Sequence, residues 1–239
     1  MNYLKLCVIH VIFFLTFFCI YSYAKDSGTL SEKKRIFMEH NSRSELLRRL
    51  FEIDAIQEGE FKLASGLMSP IYIDLRRIIS FPDVYQHVVD LLWHEMEDSS
   101  VDHVGGVPYA ALPLASGIAL LYQKSMLMPR KEIKEHGAGR TIEGVYAAGD
   151  TVILVEDVVT SGASILRAID ALEKEGLIVK EVVAFMDREQ GAAQKLKDRG
   201  IALRAVCTLT SAMDALRDAG KIDQDAVARV AAFIQEHQF

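Results

Sequence analysis

Two acids and a run of small and hydroxyl-bearing residues stand together in the middle of the chain: Glu156 and Asp157, then Val158, Val159, Thr160, Ser161, Gly162, Ala163 and Ser164. Carboxylates accept hydrogen bonds from a sugar diol and help to hold a hard divalent cation. Hydroxyls donate to an anion, and a glycine lets backbone amides come close to one. The flanking elements decide which chemistry applies. Thr151 to Val155 is an apolar, β-branched run of the kind found in buried parallel strands. From Ile165 to Leu172 the residues Ile165, Leu166, Ile169 and Leu172 fall on one helical face. A strand therefore ends, the chain turns, and a helix starts with unpaired amides, which makes an anion site at the helix dipole. Phosphate on the helix start and hydroxyls on the acids describe a ribose 5-phosphate. A capped helix with solvated acids accounts for any one of these residues, but poorly for the whole pattern.

Three other stretches carry chemistry. Gly105-Gly106-Val107-Pro108-Tyr109 lies between a strand-like and a helix-like segment. Its glycines are expected to free amides for a second anion, with the Tyr109 hydroxyl nearby. Alone it reads as a tight turn; opposite a ribose phosphate it becomes a candidate for pyrophosphate. Arg130 to Gly144, RKEIKEHGAGRTIEG, has no apolar period and carries Arg130, Lys131, Lys134, His136 and Arg140 among three glycines. A Gly-hinged basic loop beside an anionic substrate is a candidate lid, bringing cations onto a leaving group and excluding water. Arg188 ends the strand-like run before Glu189-Gln190-Gly191. It can grip a planar carboxylate with two hydrogen bonds, or it can simply pair with Asp187 or Glu189.

The elements that must position these residues alternate. Strand-like runs at Val104–Gly106, Met126–Pro129, Thr151–Val155, Glu181–Asp187 and Ala202–Cys207 are separated by helical patterns. That predicts an α/β fold with a mostly parallel central sheet flanked by helices, and sites at the carboxyl ends of its strands. Phe61 to Ser69 and Pro70 to Leu75 read as two short strands ahead of it, a small hood. Residues 1–37 divide from 38–239: Leu6 to Tyr23 is apolar and about as long as a membrane span, followed by a polar linker, and reads as a signal-like leader or an anchor. A net charge of −6 argues against nucleic acid as a partner. Membrane contact is expected only through residues 6–23, and the body is expected in the cytoplasm. Cys207 stands as a lone core thiol, which suits a reducing compartment.

VILVEDVVTSGAS resembles the phosphoribosyl-pyrophosphate motif of the type I phosphoribosyltransferases. Together with GVPY, RKEIKEHGAGR and DREQG, in that order and spacing, the chain is similar to the orotate phosphoribosyltransferases from about Ser44 to Gln235. The resemblance implies transfer of ribose 5-phosphate to orotate with magnesium, in a homodimer whose lid is shared across subunits. By that resemblance Thr160 to Ser164 hold the 5-phosphate, within the segment that includes Val158 and Val159, and Glu156 and Asp157 hold the ribose hydroxyls. Tyr109 with its neighbour Ala110, Arg130 and Lys131 hold pyrophosphate; Lys134 and His136 arrive on the lid. Lys134, His136 and Asp157 are the expected catalytic residues. Arg188 and Thr160 meet orotate, and Tyr72 and Ile73 line the base pocket. Magnesium is expected to be bound through the substrate near Glu156 and Asp157, with no direct protein cage. Ala64 departs from the family, which usually has Lys in that turn. Two alternatives follow: a ligand-sensing homologue without catalysis, and a transferase for another base.

Overall fold

A computed structural model of the chain describes residues 43–63, 66–130 and 141–239. The boundary at 37/38, the apolar run 6–23, Ala64 and the lid residues Lys131, Lys134 and His136 lie outside the described residues.

The first helix, α1 (Arg43–Glu52), buries Leu46, Leu47 and Leu50. A hairpin follows, β1 (Ile56–Lys62) and β2 (Met68–Ile73), which form a separate two-stranded antiparallel sheet. The expected strand at Phe61–Ser69 is corrected here: the chain turns between Leu63 and Leu67, and β1 begins five residues earlier than Phe61. Gln57, Glu58 and Glu60 disguise it, because only one face of this small sheet is covered. A 3₁₀ turn (Leu75–Ser80) leads into α2 (Pro82–His94), where Pro82 occupies an opening position that has no N–H to lose.

The main sheet is then laid down as β3 (His103–Gly106), β4 (Ser125–Pro129), β5 (Ile142–Glu143), β6 (Thr151–Val159), β7 (Ile178–Asp187) and β8 (Ala202–Thr208). Helices α3 (Ala111–Tyr122), α4 (Ala163–Lys174), α5 (Ala192–Asp198), α6 (Leu209–Asp218) and α7 (Gln224–Glu236) come between or after the strands. The order across the sheet is β5-β4-β3-β6-β7-β8, and only the β4–β5 pair is antiparallel. Ile153, Leu154, Val182, Val183 and Phe185 are buried, as expected of strands covered on both faces. The chain leaves β3 toward β4 but places β6 on the other side of β3. A crevice therefore lies at the carboxyl ends of β3 and β6, where this topology places ligands.

Two expectations about length are revised. β6 continues four residues past Val155, because Val158 and Val159 keep pairing with Met186 and Asp187 of β7. Glu156 and Asp157 thus belong to the strand end and not to a loop. The lid stretch does contain an element: Ile142 and Glu143 pair back onto Pro129 and Met128. At the opposite end of the sheet the buried His103 bridges Ser125 Oγ at 2.8 Å and Asp150 Oδ2 at 2.9 Å. It thereby ties β3 to β4 and to the approach of β6.

Candidate active site

Glu156 is buried, which is unusual for a carboxylate without a cation. Its Oε1 accepts the Asp157 amide at 3.1 Å and its Oε2 accepts the Ser164 hydroxyl at 3.1 Å. Burial, and then the adjacent Asp157 carboxylate, push its pKa well above the usual carboxylate range. Asp157 is more open to solvent. The next turn delivers the chain to Gly162, whose φ of 75° is in the left-handed region, and α4 starts there without a side-chain cap. Ala163 and Ser164 are exposed. The opening amides of α4 thus have no capping side chain. The Ser164 hydroxyl donates its proton to Glu156. Thr160 and Ser161 remain half-buried in the turn, and Lys195 of α5 donates to the Ser161 carbonyl at 3.3 Å.

The turn after β3 differs from its expected form. Gly105 and Gly106 are not turn residues; they are buried strand residues in register with Leu154 and Val155. A Cβ on Gly106 would lie 3.0 Å from Ala111 O, Ala115 Cβ and Leu112 Cα, so Gly106 lets α3 pack on the sheet, while one on Gly105 would lie 2.9 Å from Leu154 Cδ2 of the neighbouring strand. Val107 N also donates to Val155 O at 3.0 Å. Only Pro108, Tyr109 and Ala110 face outward from this turn, with Tyr109 60% exposed. Arg130, at the end of β4, is held by Glu143 of β5 through Nε at 2.5 Å and through Nη2. A cleft of about 330 Å³ joins these parts, lined among others by Pro108, Arg130, Thr141, Ser164, Arg167 and Lys174.

Arg188 follows β7, and its amide donates to Val159 O at 2.8 Å, which sets it against the end of β6. Its side chain is buried, and neither Nε nor Nη2 has a hydrogen-bond partner. The alternative of a pair with Asp187 or Glu189 is not what forms: Asp187 accepts the Glu189 amide and Glu189 accepts the Thr210 amide. Burial alone lowers the pKa of the guanidinium. Tyr72 and Ile73, half-buried, end β2, with the Tyr72 ring stacked on Phe61 at 5.5 Å. One residue near the site escapes sequence reasoning. Arg76, anchored by Asp74 at 2.6 Å, is largely exposed and feels the charge of Asp157. Only the approach of the 3₁₀ turn to Asp157 in the folded chain could reveal it. Among the described residues no three His, Cys, Asp or Glu side chains group as a protein-only metal cage. The paired acids of β6 are oxygen donors suited to a hard cation shared with a substrate.

Residues 76–203 match the Phosphoribosyl transferase domain. The uridine 5'-monophosphate synthase of Bos taurus is 44% identical over 196 residues, 81% of this chain and 41% of that protein. An orotate phosphoribosyltransferase of Caenorhabditis elegans is 42% identical over 175 residues, 72% of this chain and 77% of that protein. This chain belongs to the orotate phosphoribosyltransferase family. The crystal structure of orotate phosphoribosyltransferase from Aeropyrum pernix has the same fold, with a TM-score of 0.65 at 33% identity, over 73% of this chain and 98% of that one. The expected hood and mostly parallel sheet of an orotate phosphoribosyltransferase are both present. The chain spans about two fifths of the length of the bovine synthase and of a bifunctional Nostoc relative. Among the described residues no helix is long and apolar enough to cross a membrane.

Proposed function

We propose that this chain transfers the ribose 5-phosphate unit of phosphoribosyl pyrophosphate to a ring nitrogen of orotate, giving orotidine 5′-monophosphate and pyrophosphate in pyrimidine synthesis. The observation that carries this reading is Arg188. A buried guanidinium with two unpaired nitrogens costs stability unless an anion completes it, and a planar carboxylate matches its fork. Orotate has such a group; uracil and hypoxanthine do not.

The opening amides of α4, with Thr160 and Ser161, would hold the 5-phosphate. Glu156 and Asp157 would accept from the ribose hydroxyls. Adjacent carboxylates at the end of β6 are placed where negative charge would favour the cationic sugar of a dissociative transition state. Glu156 and Asp157 are the oxygen donors that would lie beside a magnesium ion carried by the donor, and such an ion would supply charge neutralisation for pyrophosphate. Tyr109, Arg130 and Lys131 would hold pyrophosphate, and Lys134 and His136 would reach it on a lid supplied by the second subunit of a homodimer. Since the donor is made inside cells, we place this domain in the cytoplasm.

The test is direct. The purified chain is mixed with phosphoribosyl pyrophosphate, magnesium and one of orotate, uracil or hypoxanthine, and base consumption is followed. Consumption of orotate alone is expected. A turnover preference for another base would replace the acceptor, and binding without turnover would favour the ligand-sensing alternative.

A further inference from the structure

The segment carrying Arg188 is fastened on three sides. Val159 O holds the Arg188 amide, and the Glu189 carboxylate accepts the Thr210 amide at the start of α6 at 2.8 Å. The third side is the end of α7 and the three residues after it. Gln190 Nε2 donates to His237 O at 2.9 Å, Gln190 O accepts the Phe239 amide at 3.2 Å, and Gln238 Nε2 donates to Glu189 O at 2.9 Å. The backbones meet so closely that a Cβ on Gly191 would lie 2.6 Å from Phe239 O. From the same helix the ring of Phe233 lies with its centre 5.9 Å from Arg188 Cζ. Phe233 is itself buried and stacked on His237 at 4.3 Å.

We propose that α7 and residues 237–239 position Arg188 for its substrate, with Phe233 as the main positioning residue. The inference rests on the reading of Arg188 as the group that grips orotate. Its physical content lies in the kind of contact. A carboxylate partner would fix the guanidinium but use up the N–H groups that must reach the ligand. An aromatic face attracts the cation through its quadrupole and takes no donor. Arg188 is thus steadied while Nε and Nη2 stay available.

The experiment compares the full chain with Phe233→Leu, Phe233→Tyr and Gln238→Ala. It measures KM for orotate, KM for phosphoribosyl pyrophosphate, kcat and the orotate-over-uracil preference, with melting curves on each protein. Phe233→Leu keeps bulk without a π face and should raise KM for orotate roughly 3- to 30-fold. Its KM for the donor and its kcat should stay within about twofold. Phe233→Tyr should restore orotate binding. The exposed Gln238→Ala, which should fold normally, is expected to shift KM for orotate about two- to fivefold in the same direction. Unchanged KM for orotate in both Phe233→Leu and Gln238→Ala, with an active parent chain, overturns the positioning role alone. So does an equal rise in both KM values that Phe233→Tyr does not reverse. A parent chain that consumes no orotate overturns the reading of the site beneath it.

Discussion

Two strand–turn–helix units face each other across the crevice, and their glycines do opposite work. After β6, Gly162 adopts a left-handed φ of 75° and turns the opening amides of α4 outward. Within β3, Gly105 and Gly106 are ordinary extended residues whose missing side chains let α3 and the neighbouring strands close in. The first unit leaves helix amides without a side-chain cap; the glycines of the second are spent on packing. On the proposed reading, the β6 unit would offer main chain to a phosphate, while the β3 unit would offer only what Tyr109 and Ala110 carry outward.

The lid provides the severest check on that contrast. If the β3 turn has no spare amides, the developing charge on pyrophosphate depends on lid cations. Lys134→Ala should then lower kcat roughly 10²- to 10³-fold, by analogy with loss of one preorganised donor to a developing anion. Unchanged turnover at saturating substrate would return the role to the β3 turn. Arg188→Met should raise KM for orotate about 10- to 100-fold, the worth of a charge-assisted hydrogen bond or more. The same change should raise Tm by a few degrees, since it removes a buried guanidinium lacking an acceptor. A lower Tm with KM for orotate unchanged would mean that the residue is structural.

The two glycines can be set against each other directly. Gly106→Ala should lower Tm by roughly 3–10 °C through overpacking, with KM for the donor little changed in the protein that remains folded. Gly162→Ala, strained at its positive φ, should raise KM for the donor as well as lower Tm. Matching donor KM values for the two variants would erase the distinction. The smallest effect concerns Glu156. Its raised pKa means that the folded state keeps a proton the unfolded chain gives up, so stability falls as pH climbs through the interval between the ordinary and the raised value. Glu156→Gln removes that penalty. Its Tm should exceed the parent's by about 2–4 °C near neutral pH and converge with it near pH 4. A constant offset across that range would show that Glu156 is not the titrating group.

Much of the ligand-facing surface could be read from residue types. Thr160 to Gly162 after a β-branched run, and an arginine at the end of another strand, have local meanings that survive folding. Other features could not. A glycine chosen for small size and one chosen for a positive φ look the same in a sequence, which is why Gly105 and Gly106 read as turn residues although they lie within β3. Glu156 looks like a loop acid because nothing local tells that β7 pairs alongside it as far as Val159. Ile142–Glu143 is too short for any period to show. The roles of Phe233 and Arg76 depend on contacts between distant segments, and such contacts leave no trace in spacing.

His103 has a mechanical consequence. By fastening Ser125 and Asp150 at the amino ends of β4 and β6, it acts as a rivet at the foot of the crevice. Breathing of the cleft would then resemble a book whose spine is stitched: the upper margins can part while the lower margins stay in register.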